Sequence, residues 1–207
     1  MIDPRGKNYI LFADATRKYQ KDHKSFHDVP EDEMELILPH FELLKLRKKE
    51  FLFREGQQID KFYFVEEGCL NFFALFQGKE QVIEFYTEGI FFTELYSYVN
   101  DVPALCNVQA LEDSVVLTIQ KDIFNAAMDQ SHALERFSHL MLQQGFIEQM
   151  IRSINKDARS NEERYLRLMR KRPELFQRVP QYLIASYLGL TPVGLSKIRR
   201  RLSQYSN

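Results

Sequence analysis

Four stretches with different hydrophobic periods follow one another along the 207-residue chain. Residues 1–50 are polar with helical patches. The clearest patch runs from Glu31 to Leu46 after Pro30, where Leu36, Ile37, Phe41, Leu43 and Leu44 could pack on a neighbouring domain. From 51 to 120 the pattern turns to short aromatic and β-branched runs: Phe51–Phe53, Phe62–Val65, Leu70–Phe76, Val82–Tyr86 and Val115–Ile119. Gly56, Gly68, Gly78 and Gly89 punctuate them. Short strands with turns every ~8–12 residues predict an all-β sandwich or barrel, and glycine supplies the positive-φ positions such turns need. From 122 to 155 the period becomes helical. Phe137, Leu140, Gln144, Ile147, Ile151 and Ile154 follow one another at alternating spacings of three and four. That is an a/d seam, the pattern of a helix that pairs with another helix, with Gln144 as a polar a position that can set register. A helix lying on its own β domain is the alternative. Residues 156–207 read as a small helical unit. Ser160-x-x-Glu163 is a capping box that opens a helix, and Pro173 stops it.

The segment LIASYLGLTPVGLSKIRRRL carries the most specific signal. Leu183, Ile184, Tyr187 and Leu188 form the apolar face of a short helix after Pro180. Gly189 is the left-handed stop, Thr191 can cap the next helix and Pro192 sits at its first position. Leu195, Ile198 and Leu202 then repeat at helical spacing and pack inward. Val193, Ser196, Lys197, Arg200 and Arg201 lie on the other face. This is a helix-turn-helix arrangement, in which one helix braces a second whose N-terminal half enters the major groove.

Charge strengthens that reading. The chain has 28 Lys+Arg against 29 Asp+Glu, but Lys156–Asn207 holds 12 basic and 4 acidic residues. The C-terminal unit is therefore +8 and the first 155 residues −9, a split that points to nucleic-acid contact. No apolar run approaches the ~18 residues of a membrane span. The N-terminus lacks the apolar region of a secretory signal. Cys69 and Cys106 lie outside any CxxC and read as reduced core residues of a cytoplasmic protein. An enzyme and a metal site are not expected. The five histidines, His23, His27, His40, His132 and His139, all lie outside residues 51–120, where a metal-binding β-barrel would need them. The His23/His27 pair, flanked by Asp22 and Asp28, lacks a third ligand and reads as surface. His132 and His139 read as a surface or interface pair.

LGLTPVGLSKIRR resembles the recognition segment of the Crp/Fnr transcription regulators, and REGQQIDKFYFVEEGCLNFFALFQGKEQVIEFYTEGIFFTEL resembles their β-roll. EERYLRLMRKRPELFQRVPQYLIASYLGLT looks like one bacterial subgroup within the family. The resemblance covers about residues 35–205. It implies an α+β fold: an N-terminal β-roll (a jelly-roll-like double-stranded β-helix), a long dimerisation helix and a C-terminal winged helix-turn-helix. The corresponding boundaries are 1–34 for a polar helical extension, 35–122 for the roll, 123–156 for the helix and 157–207 for the DNA-binding domain. The implied function is a cytoplasmic, bacterial, sequence-specific regulator acting as a homodimer. Its partners would be double-stranded DNA, a second copy of itself and RNA polymerase, with no membrane. Val193, Ser196 and Lys197 are expected on base edges, beside Thr191 and Gly194. Arg199, Arg200 and Arg201 are expected on phosphates. Many family members carry Glu-x-x-Ser-Arg where Val193, Ser196 and Lys197 stand, so the usual operator does not transfer. Valine would touch a thymine methyl rather than accept from cytosine.

In cyclic-nucleotide-binding members a Gly-Glu-Leu run opens the ligand cassette and an Arg-Ser pair closes it. The aligned residues here are Thr93-Glu94-Leu95 and Ala104-Leu105, with Cys106 next to them, and Thr93–Glu112 contains no Lys or Arg. Burying a phosphate without a cation is costly. The usual cyclic nucleotide is therefore not expected, no cofactor is assigned, and another small effector stays open. The rival reading of the whole chain is a small-molecule sensor whose basic domain docks on a protein partner.

Overall fold

In the computed structural model, which describes residues 29–205, the predicted strand runs become strands because their side chains alternate between two apolar layers. Two antiparallel four-stranded sheets face each other. One contains, in order, β1 (Glu42–Leu46), β8 (Ser114–Gln120), β3 (Lys61–Glu67) and β6 (Phe91–Phe92). The other contains β2 (Phe51–Phe53), β7 (Asn107–Ala110), β4 (Leu70–Phe76) and β5 (Lys79–Tyr86). Leu46, Phe53, Tyr63, Val65, Leu70, Phe92, Val108 and Val116 fill the space between them. On β3 the intervening Phe62 and Phe64 point to the outer face, which explains its unbroken apolar run.

Helices cover both outer faces. Over the first sheet lie α1 (Glu31–Met34), a 3₁₀ turn at Leu38–His40, α2 (Leu95–Asn100), α3 (Lys121–Gln130) and the start of α4 (His132–Ala158). Met34, Ile37, Phe41, Tyr98, Phe124 and Leu134 meet Phe62, Phe64, Leu117 and Ile119 there. Over the second sheet lies the C-terminal head, made of α5 (Asn161–Lys171), α6 (Leu175–Arg178), α7 (Gln181–Tyr187) and α8 (Pro192–Tyr205).

Three expectations change. Glu31–Leu46 is not one helix, because Glu42–Leu46 pairs with Ser114–Thr118 and this long-range ladder overrides the local helical spacing. Phe41 is buried against the sheet, whereas Leu43 and Leu44 stay exposed on an edge strand. The helix expected over 123–156 is two helices. At Ser131 the backbone is extended and the hydroxyl accepts from the Leu134 N–H at 2.9 Å, which starts α4 afresh. The expected wing does not fall among the described residues, where no strand follows Gln120. His23 and His27 lie outside the described residues.

Gly68 shows how tightly the roll closes. Its φ is +107°, and a Cβ placed on it would lie 2.1 Å from Ser114 Oγ and 2.8 Å from Ser114 Cα. Gly78 also has positive φ but faces open space. Gly68→Ala should therefore destabilise the protein by about 2–4 kcal/mol through strain plus overpacking. Gly78→Ala should cost about 1 kcal/mol, and urea unfolding of the two variants checks the difference.

Candidate nucleic-acid interface

The turn between α7 and α8 is built by backbone chemistry that the residues GLTP dictate. The Leu190 N–H donates to Ala185 O at 2.8 Å and the Gly189 N–H to Ser186 O at 2.9 Å, with Gly189 at φ +66°. This Schellman stop ends α7. Two residues later Thr191 Oγ1 accepts from the Gly194 N–H at 3.1 Å, and Thr191 O accepts from Leu195 N at 3.0 Å. A Cβ at position 194 would sit 3.2 Å from that same hydroxyl, so a small residue suits the cap.

Burial then sorts the two faces of α8. Leu195 and Ile198 are buried among Leu183, Ile184, Leu188, Tyr165 and Leu168, and Leu202 packs beside them. Val193 is 65% exposed, and Ser196, Lys197, Arg199 and Arg200 are exposed with it. Lys197, Arg200, Arg201 and Gln204 line a shallow groove of about 320 Å³. Arg201 differs from its neighbours, because its guanidinium is paired with Glu162 on the first turn of α5.

The head is held on the roll by contacts that charge counting did not find. Ser186 fills the edge of β5: its hydroxyl accepts from Val82 N at 3.0 Å and donates to Glu80 O at 2.9 Å. Arg178 pairs with Glu88 and Glu112, and Arg172 pairs with Glu84 at 2.9 Å. Arg152 of α4 also pairs with Glu84. Two of the twelve basic residues of the C-terminal unit, Arg172 and Arg178, thus face the roll rather than solvent. The signal available in sequence was Glu84, Glu88 and Glu112, acids on or beside strands of the roll.

The seam expected on α4 is displaced. Phe137 is 5% exposed and is already covered within the chain, and Leu140 and Gln144 are half-buried. Ile147, Ile151 and Ile154 are exposed, and Leu142, Phe146 and Met150 are exposed with them. At 100° per residue these six cover about half of the helix circumference. His132 pairs with Glu135 at 3.2 Å.

Several of the expected effector residues have structural tasks. Glu94 is buried and its carboxylate accepts from Ser97 N at 2.7 Å, capping α2. Thr93 Oγ1 donates to Lys61 O at 2.9 Å. Ala104 is buried and exchanges backbone hydrogen bonds with the Gly56–Gln57 turn. Leu95 and Leu105 are exposed. Burial pushes the Cys106 thiol up to about 11 and the Cys69 thiol up to about 12. Inside the roll the rings of Phe53, Tyr63, Phe92, Tyr86 and Phe72 form a continuous chain with centroids 4.0–5.6 Å apart.

Residues 43–131 match the family model of the cyclic nucleotide-binding domain. The structure resembles FixK2 from Bradyrhizobium japonicum with a TM-score of 0.68 at 18% identity, covering 80% of this chain and 86% of that one. It resembles the c-di-GMP responsive global regulator CLP of Xanthomonas campestris with a TM-score of 0.69 at 15% identity, covering 86% and 93%. At these identities the likeness shows a shared fold. A CooA mutant from Carboxydothermus hydrogenoformans is similar in the same way, with a TM-score of 0.64 at 16% identity and coverage of 80% and 78%. No curated protein matches the chain. The domain match includes every expected effector residue, whereas α5–α8 lie beyond it.

The acid side of the latch carries a pH dependence. Burial opposes the charge on Glu88, but hydrogen bonds from Arg178 and from the backbone at Glu88 and Gly68 outweigh it and hold the carboxyl below its usual range. A folded pKa below the unfolded value of about 4.3 means that the stabilisation is present above that pH and is lost as pH falls through the folded value. Glu88→Gln should therefore flatten the acid limb of stability below about pH 4.3, measured as urea midpoints between about pH 3 and 6.

Proposed function

We propose that this protein is a sequence-specific DNA-binding transcription regulator that works as a homodimer in the cytoplasm, with RNA polymerase as its further partner. The observation that carries the reading is the sorting of α8. Leu195 and Ile198 anchor it while Val193, Ser196 and Lys197 project from its first turns, the geometry of a helix presented to a major groove. Val193 would meet a thymine methyl, and Lys197 would donate to a guanine edge as a single flexible charge. Thr191 and Gly194 allow the helix start to approach the duplex. Arg199 and Arg200 would contact phosphates, and Arg201 would do so only by leaving Glu162.

The exposed arc of α4 supports the homodimer. An apolar face of Leu142, Phe146, Ile147, Met150, Ile151 and Ile154 is costly in water, and an equal face on a second copy would cover it. Pairing there would place two α8 helices about one duplex turn, ~34 Å, apart on a pseudo-palindromic site. The roll would bias that arrangement as an effector domain. Its cassette lacks a cation, Glu94 caps α2, and aromatic rings occupy the space between the sheets, all of which speak against a cyclic nucleotide in the usual mode.

Selection from a random DNA pool with the full chain should enrich a two-fold site, and no enrichment would leave the rival reading of a protein-docking module. Binding to the enriched site should weaken log-linearly with salt. Lys197→Ala should cost about 1–3 kcal/mol on that site and little on random DNA, and Arg200→Ala should lower the salt slope by about 1 on both. Phe146, 72% exposed, tests the dimer without touching the roll. Phe146→Glu should give a folded monomer by sedimentation that binds the two-fold site at least ~10-fold more weakly, a loss of about 1.4 kcal/mol or more.

A further inference from the structure

We propose that Glu84 is the positioning residue through which the roll and the dimer helix set the orientation of the DNA-reading head. This rests on the proposed function and names its internal coupling. Three segments distant in sequence converge on this one half-buried carboxylate. Arg152 reaches it from α4. Arg172, at the end of α5, donates at 2.9 Å. Tyr187, at the end of α7, donates its hydroxyl at 3.2 Å. The same three groups also touch each other and the strand. The Arg152 guanidinium lies over the Tyr187 ring at 4.9 Å and donates to Ile83 O. Arg172 donates to Phe85 O at 2.9 Å and to Thr87 Oγ1 at 3.2 Å. Glu88 and Glu112, in contrast, bind Arg178 of the head.

Apolar burial of Val82 and Phe85 against Leu183 and Ile184 holds the head to the sheet but has no preferred angle. Direction comes from charge-assisted hydrogen bonds with fixed donor forks. Glu84 supplies these to α4, which carries the dimer face, and to α5 and α7, which carry the reading helix. Its removal therefore acts on the relative placement of two heads more than on one head's grip.

The test uses the full chain and two duplexes, the selected two-fold site and a single half-site in neutral flanks. Glu84→Gln keeps the side-chain shape and removes the charge. Expected are a fall of at least ten-fold on the two-fold site, a broader tolerated half-site spacing, and half-site affinity unchanged within two-fold. Arg152→Gln should reproduce the effect, and the double variant should add little, since both remove one link. Unchanged spacing preference in Glu84→Gln would overturn the proposal. An equal loss on both duplexes would also overturn it, marking a general role in stability. Failure of the unaltered chain to select any two-fold site would overturn the proposed function and this inference with it.

Discussion

Everything the C-terminal helices do depends on their being seated on the outer face of the second sheet. Cys69, Val82 and Phe85 of the roll share one apolar cluster with Tyr165, Leu168, Leu175, Leu183, Ile184, Leu195 and Ile198 of the head. The inner face of α8 is thus part of the same core that covers strand β5. Fully burying side chains of this size contributes about 1.5–3 kcal/mol each. β5 is also an edge strand, and an uncovered edge invites pairing with another chain. Ser186 answers one donor and one acceptor of that edge, so the head both stabilises the sheet and blocks it.

The docking has a cost. Asn71 lies opposite Phe85 in register, is fully buried, and has no hydrogen-bond partner for either amide atom. A buried unsatisfied polar group costs about 1–3 kcal/mol. The salt bridges to Glu84, Glu88 and Glu112 are half-buried and directional, which makes them a means of fixing orientation rather than a large source of stability. A seat with strong apolar contact, a specific polar latch and an internal penalty is the kind of contact whose geometry a ligand or a partner helix can bias.

The roll uses several of the expected effector residues for its own structure. Glu94 caps α2, Ala104 bonds to the Gly56–Gln57 turn, and the aromatic chain from Phe53 to Phe72 fills the space between the sheets. Exposed apolar side chains lie elsewhere, at Leu43, Leu44, Leu75, Phe76, Leu95, Val99 and Leu105 and along α4.

What the sequence determined by itself is local or periodic. The strands β2 and β4, the capping box at Ser160, the Schellman turn at Gly189 and the inward and outward faces of α8 were legible because each depends on residues within one or two turns of each other. The helix-turn-helix face of the candidate site was legible for the same reason. Tertiary structure decided whatever depended on a distant partner. Glu42–Leu46 became a strand because Ser114–Thr118 offered a ladder. Ser131 broke a helix whose apolar period runs on past it, through a cap that also donates to Glu33 of α1. Phe137, expected on a helix-pairing seam, is buried in the chain's own interior, and Phe146 and Met150 lie on the exposed face of α4. Arg172 and Arg178, which sequence offered only as part of the basic charge of the C-terminal unit, became ion-pair partners once the fold brought Glu84, Glu88 and Glu112 beneath them. Period and capping are properties of a segment, whereas burial and ion pairing belong to residues that meet only after the chain has folded.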